Sequence, residues 1–137
     1  MSHITKIKTK ISDLEILKRS LKDLKMEFVD AANDSHIKLK SWGREEINEK
    51  ILLEIKTGSS YNIGVVFNEK DHCYEFIADW WGIECFSGIK QDELTGKIFQ
   101  RYAYDSIMDK VREKGYELVS EQTDNEQNIR VVLRKWQ

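Results

Sequence analysis

A chain of 137 residues fits one domain, 1–137, and leaves no room for two ordinary ones. Hydrophobic residues make up 40% and recur in periodic blocks, so the chain is globular, and its 34% of charged residues are mixed in sign. A net charge of −2 gives no overall pull toward nucleic acid or acidic membranes, and no apolar run approaches the roughly 20 residues of a membrane span.

The opening MSHITKIKTK contains no apolar stretch, so no secretory leader is expected. From His3 to Ile11 the residues alternate. Ile7, Thr9 and Ile11 face one way and Lys6, Lys8 and Lys10 the other, the period of a half-buried strand. The period then changes. Ser12 and Glu15 form an S-x-x-E capping box, which satisfies free N–H groups at a helix start, and Leu14, Leu17, Leu21 and Leu24 follow as one apolar stripe. Residues 27–50 mix a short strand, a turn at Asn33–Asp34 and a polar link, with a strand expected near Ile37–Trp42.

ILLEIKT places Ile51, Leu53 and Ile55 on one face. After a turn at Gly58–Ser59–Ser60, YNIGVVF does the same with Tyr61, Ile63, Val65 and Phe67. A second turn, 68–71, leads into CYEFIADWW, which completes a three-stranded meander. Residues 89–114 read as a helix built on Leu94, Ile98, Tyr104, Ile107, Met108 and Val111, with Gly96 as a weak point. Gly115 suits the left-handed position that ends a helix. YELVSEQ and IRVVLRKW flank Asp124–Asn128 as a closing hairpin whose inner face carries Ile129, Val131 and Leu133. Strands outnumber helices and tight turns join them. This predicts an α+β fold, an antiparallel or mixed β-sheet with two α-helices packed on one face.

Trp80 and Trp81 raise a question of placement. Read as strand 73–81, one row carries Tyr74, Phe76, Ala78 and Trp80, and the other Cys73, Glu75, Ile77, Asp79 and Trp81. The first row is bulkier, so Trp80 is assigned to the core under the helices. A two-layer sandwich leaves the second face open, so Trp81, beside Asp79, is assigned to that face as a candidate partner surface.

Cys73 and Cys85 are expected as free thiols in a reducing compartment. With His72 they fit no compact zinc pattern, and His72 and Cys73, adjacent on a strand, point to opposite faces. Neither a metal site nor a nucleophile pair is assigned. The chain has no P-loop, G-x-G-x-x-G, H-E-x-x-H or G-x-S-x-G, so no catalytic residue and no cofactor is assigned. Lys6, Lys8 and Lys10, with Lys38 and Lys40, make a basic edge that would imitate an RNA-binding sheet beside aromatic residues. Without an RNP-like motif, protection of an edge strand from aggregation is the preferred reading.

Taken together, MSHITKIKT at the N-terminus, ADWWG at 78–82, QRYAY at 100–104 and the terminal RKWQ resemble the hypothetical chloroplast open reading frame thirty-five family of algal plastids and cyanobacteria. The resemblance covers nearly the whole chain and is weakest over 33–50. It implies a plastid setting, the chloroplast stroma or a thylakoid association, or else the cyanobacterial cytoplasm. The family has no established activity, so it supplies no functional residues. Its motif positions make His3, Asp79 and Arg101 a candidate polar pocket; with Trp81 and Tyr102 they are the candidate binding residues. Arg101 and Tyr102 lie off the apolar stripe, where a solvated face is preferred. The expected function is a non-catalytic protein-binding or assembly and accessory role. Its partner would be another protein or complex, a photosynthetic one by the family's distribution. The alternative is a small RNA-binding module.

Overall fold

A computed structural model describes residues 4–32, 39, 49–124 and 128–135 of the chain. The elements run β1 (Ile4–Lys8), α1 (Leu14–Asp23), β2 (Phe28–Asp30), β3 (Leu53–Ile55), β4 (Ile63–Asn68), β5 (Cys73–Asp79), α2 (Trp80–Ser87), α3 (Gln91–Glu113), β6 (Tyr116–Thr123) and β7 (Ile129–Lys135). The first five strands form one antiparallel sheet in the order β1-β5-β4-β3-β2, and β6 and β7 pair separately. This is the α+β class the pattern predicts, with the expected meander at its centre and a third helix that the alternation did not reveal.

The two rows of the sheet follow from register. Val65 lies opposite both Leu53 and Phe76, and Ile63 opposite Ile55, so these side chains share one face. They form one buried cluster with Leu17 and Leu21 of α1, Ile83 of α2, and Leu94 and Ile98 of α3. Phe76 stacks on Phe99 of α3 with ring centroids 5.6 Å apart, which fixes α3 on this face.

The helix start falls one residue later than the capping box predicts. Asp13 is the N-cap, and its Oδ1 accepts from the amides of Glu15 (3.0 Å) and Ile16 (3.2 Å). A carboxylate serves the free amides as a hydroxyl would and adds a favourable charge at the positive end of the helix. The leucine stripe behaves as read, with Leu17 and Leu21 fully buried and Leu14 and Leu24 packed against the cluster. Gly96 does not delay α3, which runs through it, and Gly115 takes a φ of 83° beyond its end. Ile107, read as part of the inner stripe, is 53% exposed.

The second face of the sheet is not open. Gly64, Val66, Glu75 and Ile77 share it by register, and Val66 and Ile77 are only 3% and 4% exposed. Leu39 and Ile51 press on it: a Cβ at Gly64 would stand 2.6 Å from Leu39 Cδ1 and 3.0 Å from Ile51 Cδ1. The missing side chain of Gly64 is what lets them seat against the strand. The turn at Asn33–Asp34 and the strand expected near Ile37–Trp42 lie outside the described residues, apart from residue 39.

Candidate functional site

The strand that was to carry both tryptophans ends at Asp79. Its carboxylate caps the next helix, Oδ1 accepting from the amide of Gly82 at 3.0 Å, and Trp80 and Trp81 are the first residues of α2. Strand alternation therefore does not apply to them. The exposures nonetheless fall as assigned, Trp80 buried and Trp81 41% exposed, because the helix turns Trp80 toward the core and Trp81 outward. Asp79 itself is buried at 1% exposure. Gly82 is required by packing: a Cβ there would stand 2.5 Å from a ring carbon of Tyr61. The same Tyr61 ring stacks on Phe86, with centroids 5.3 Å apart and planes 10° apart. Tyr61 and Gly82 thus join the β3–β4 turn to α2, a contact that sequence pattern alone did not reveal.

Arg101 and Tyr102 are not a solvated face. The Tyr102 hydroxyl accepts from the amides of Ser12 and Asp13, both at 3.1 Å, and so holds the entry to α1 against α3. Arg101 reaches α1, with Nη2 3.4 Å from Asp23 Oδ2, while its Nε lies 3.5 Å from Asp105 Oδ1, near enough for an ion pair but not aligned as a hydrogen bond. Its guanidinium also covers the ring of Tyr104 at 4.8 Å. Arg19 extends the network to Asp109 at 2.9 Å. Asp105 is nearly buried, and burial drives its carboxyl above the usual range; the Ser20 hydroxyl and Arg101 oppose that shift and Asp23 reinforces it. Burial sets the direction, while Ser20 has two acceptors within reach. Its Oγ lies 2.8 Å from both the Ile16 carbonyl and Asp105 Oδ2, and one hydroxyl proton serves only one acceptor. A protonated Asp105 would donate to Ser20 and leave that proton for Ile16.

The candidate residues are therefore spread over separate places. Asp79 and Trp81 sit at the start of α2, Arg101 and Tyr102 at the α1–α3 contact, and His3 lies outside the described residues. Of the lysine row, Lys6 pairs with Glu49, which raises its pKa, and Lys8 lies 3.9 Å from Asp71. Charges already paired suit edge protection better than a row of phosphate contacts. Cys73 on β5 and Cys85 on α2 are free thiols.

Beyond Phe67 on β4 and Trp81 and Phe86 on α2, two surfaces among the described residues carry exposed apolar side chains. The first is the β6–β7 hairpin. Ile129, Val131 and Leu133 form its half-buried row as expected, while Val119 and Val132 are 54% and 48% exposed. The second lies along the outer side of α3. An open groove of about 710 Å³ is lined by Lys8, Lys10 and Ile11 on one side and by Phe99, Ala103 and Ile107 among the residues of α3. A smaller hollow continues past Ile107 to Lys110, Val111 and Lys114 and ends against Tyr116 and Leu133 of the hairpin. The signal for this face was present in the sequence as Ala103, Ile107 and Val111 at i, i+4 spacing, but Ile107 and Val111 were read into the inner stripe and Ala103 was passed over. Among the described residues no helix is long and apolar enough to cross a membrane.

These features define a small α+β protein of a family without an assigned activity. The profile described as "Protein of unknown function (DUF1257)" matches residues 20–132, and the chain belongs to that family. Its relatives include proteins named "Uncharacterized protein ycf35". Those of Pyropia yezoensis and Guillardia theta are each 32% identical over 142 residues, and that of Cyanophora paradoxa is 30% identical over 138. Each alignment covers 99% of this chain and 98% of the relative. The relatives belong to plastids of a red alga, a cryptophyte and a glaucophyte. No solved structure matches the chain. The family resemblance read from ADWWG, QRYAY and the two termini is thereby established.

Proposed function

We propose that this chain is a non-catalytic protein-binding or assembly factor of a plastid or cyanobacterium, working on a photosynthetic or thylakoid-associated complex. The observation that carries the reading is the C-terminal hairpin. Among the described residues its two strands pair with each other alone, form a sheet separate from the five-stranded one, and turn Val119 and Val132 to solvent. A two-stranded ribbon is marginal in water by itself, and contiguous exposed apolar residues mark contact surfaces. The plastid relatives support the compartment, and the photosynthetic partner follows by association with that compartment.

The test is affinity isolation of the tagged chain from extract of its native cells, beside a Val119→Lys/Val132→Lys variant, with the retained material identified by mass spectrometry. The wild-type chain should retain a defined protein complex that the variant loses. Retention of RNA without such a complex would replace this reading with the RNA-binding module.

A further inference from the structure

The outer groove of α3 differs in charge from the molecule as a whole. Its two parts share Ile107, and the lysines along them are Lys10, Lys110 and Lys114, with no acidic residue among the described residues that line them; Lys8, at one edge, lies near Asp71. The chain as a whole carries −2. Between the lysines the lining is apolar: Ile11 is recessed, 1% exposed, and Phe99, Ala103, Ile107 and Val111 follow along the helix, with Ile107 standing out at 53% exposure. From Phe99 to Lys114 this face runs about 22 Å at ~1.5 Å per residue, the length of a helix of about four turns. Ser106 Oγ, in the groove wall, is buried without a hydrogen-bond partner.

We infer that this groove receives an acidic amphipathic helix of a partner protein. Apolar residues of that helix at i, i+4 spacing would lie over Ile107 and its neighbours, and its flanking carboxylates would meet the lysines. The inference rests on the protein-binding reading above and names the chemistry of the partner. Shape argues for this occupant. A helix can lay side chains into the recess over Ile11, 1% exposed, whereas a flat bilayer surface would leave that recess unfilled.

The probes are two labelled peptides of about four helical turns. Both carry leucine on one face; one carries glutamate on its flanks and the other lysine. Binding is followed by fluorescence anisotropy, and the contact is mapped by amide chemical shifts of the full chain. The acidic peptide should bind saturably and shift Ala103, Ile107 and Val111. Ile107→Glu should weaken it by about tenfold or more, and Lys110→Glu/Lys114→Glu should reverse the preference toward the basic peptide. All three positions are exposed, so unchanged amide spectra away from α3 certify the fold. Equal binding of the two peptides, shifts confined to another surface, or uptake by phosphatidylglycerol vesicles in place of the acidic peptide would each overturn the inference. Affinity isolation with Ile107→Glu separates the two proposals. If it retains the same complex as wild type, the groove assignment falls and the protein-binding reading stands.

Discussion

Replacing Gly82 by alanine sets two effects of opposite sign against each other, and the structure decides between them. Gly82 lies in the first turn of α2 without a positive φ, so alanine should gain about 1 kcal/mol of helix propensity. Against this, the new Cβ would meet three carbons of the Tyr61 ring at 2.5, 2.7 and 2.8 Å, all inside contact distance. The ring has little room to retreat. It is stacked on Phe86, and the Tyr61 carbonyl accepts from Thr57 and Ser59, which tie down the turn that carries it. Overpacking of this kind costs about 1–3 kcal/mol, and three simultaneous contacts against a tethered ring place it in the upper half of that range. The expected net change is therefore a loss of about 1–2 kcal/mol, read as a lower urea midpoint at unchanged slope. Repeating the substitution in a Tyr61→Ala background isolates the clash: there Gly82→Ala should become neutral or stabilising. A neutral or stabilising effect in the wild-type background, or the same loss in both backgrounds, would refute the account of Gly82 as the space for Tyr61.

Trp80→Ala should cost about 3–5 kcal/mol, the range for a buried large aromatic, and Trp81→Ala much less; equal losses in chemical denaturation would contradict their opposite placement. Tyr102→Phe removes the acceptor of two amides at the entry to α1, and should cost about 1 kcal/mol because water can reach them. The two carboxyls of known direction should give opposite pH dependences. The Lys18 ammonium, 2.6 Å away, holds Asp30 below 3.8, so its stabilisation is present above that value and lost as pH falls through the folded pKa. Asp30→Asn should destabilise near neutral pH and converge on wild type in acid. Asp105 is raised above 3.8, so the folded state keeps a proton the unfolded chain has released, and stability falls as pH rises from 3.8 through the folded pKa. Asp105→Asn should flatten that fall in urea titrations across the acid range, and an unchanged slope would remove burial as its cause. Finally, two thiols should react with a thiol reagent in the native protein, the exposed Cys85 faster than the half-buried Cys73.

What the sequence disclosed and what it withheld have separate physical causes. The meander was legible because its strands alternate and glycine or polar turns divide them, and α1 because four leucines repeat at helical spacing. The helix at Trp80 was not, because a strand row running straight into two large apolar residues looks like more strand. Only the carboxylate of Asp79 and the lack of a side chain at Gly82 mark the change. The second face was misjudged as open because its cover includes Leu39 and Ile51, residues in and beside the stretch of weakest pattern. The candidate site was legible as residue types and not as an arrangement. Arg101 and Tyr102 read as surface because periodicity places residues on one helix and says nothing of a second helix packed against it, where Ser12, Asp13 and Asp23 supply their partners.

The strand order also bears on how the chain reaches this state. β1 pairs with β5, Ile4 opposite Asp79, while β2 pairs with β3 at the other border of the same sheet. Both margins of the sheet are thus supplied by the first 30 residues and its middle by residues 53–79. On a ribosome the first strand emerges long before its partner exists and must wait, with its lysines outward, until Asp79 is clear. Closing so long a loop is slow relative to forming the local meander. The alternating lysines of β1, which guard an edge in the finished sheet, thus have an earlier use during synthesis, when that strand has no neighbour at all and is open to pairing with another nascent chain.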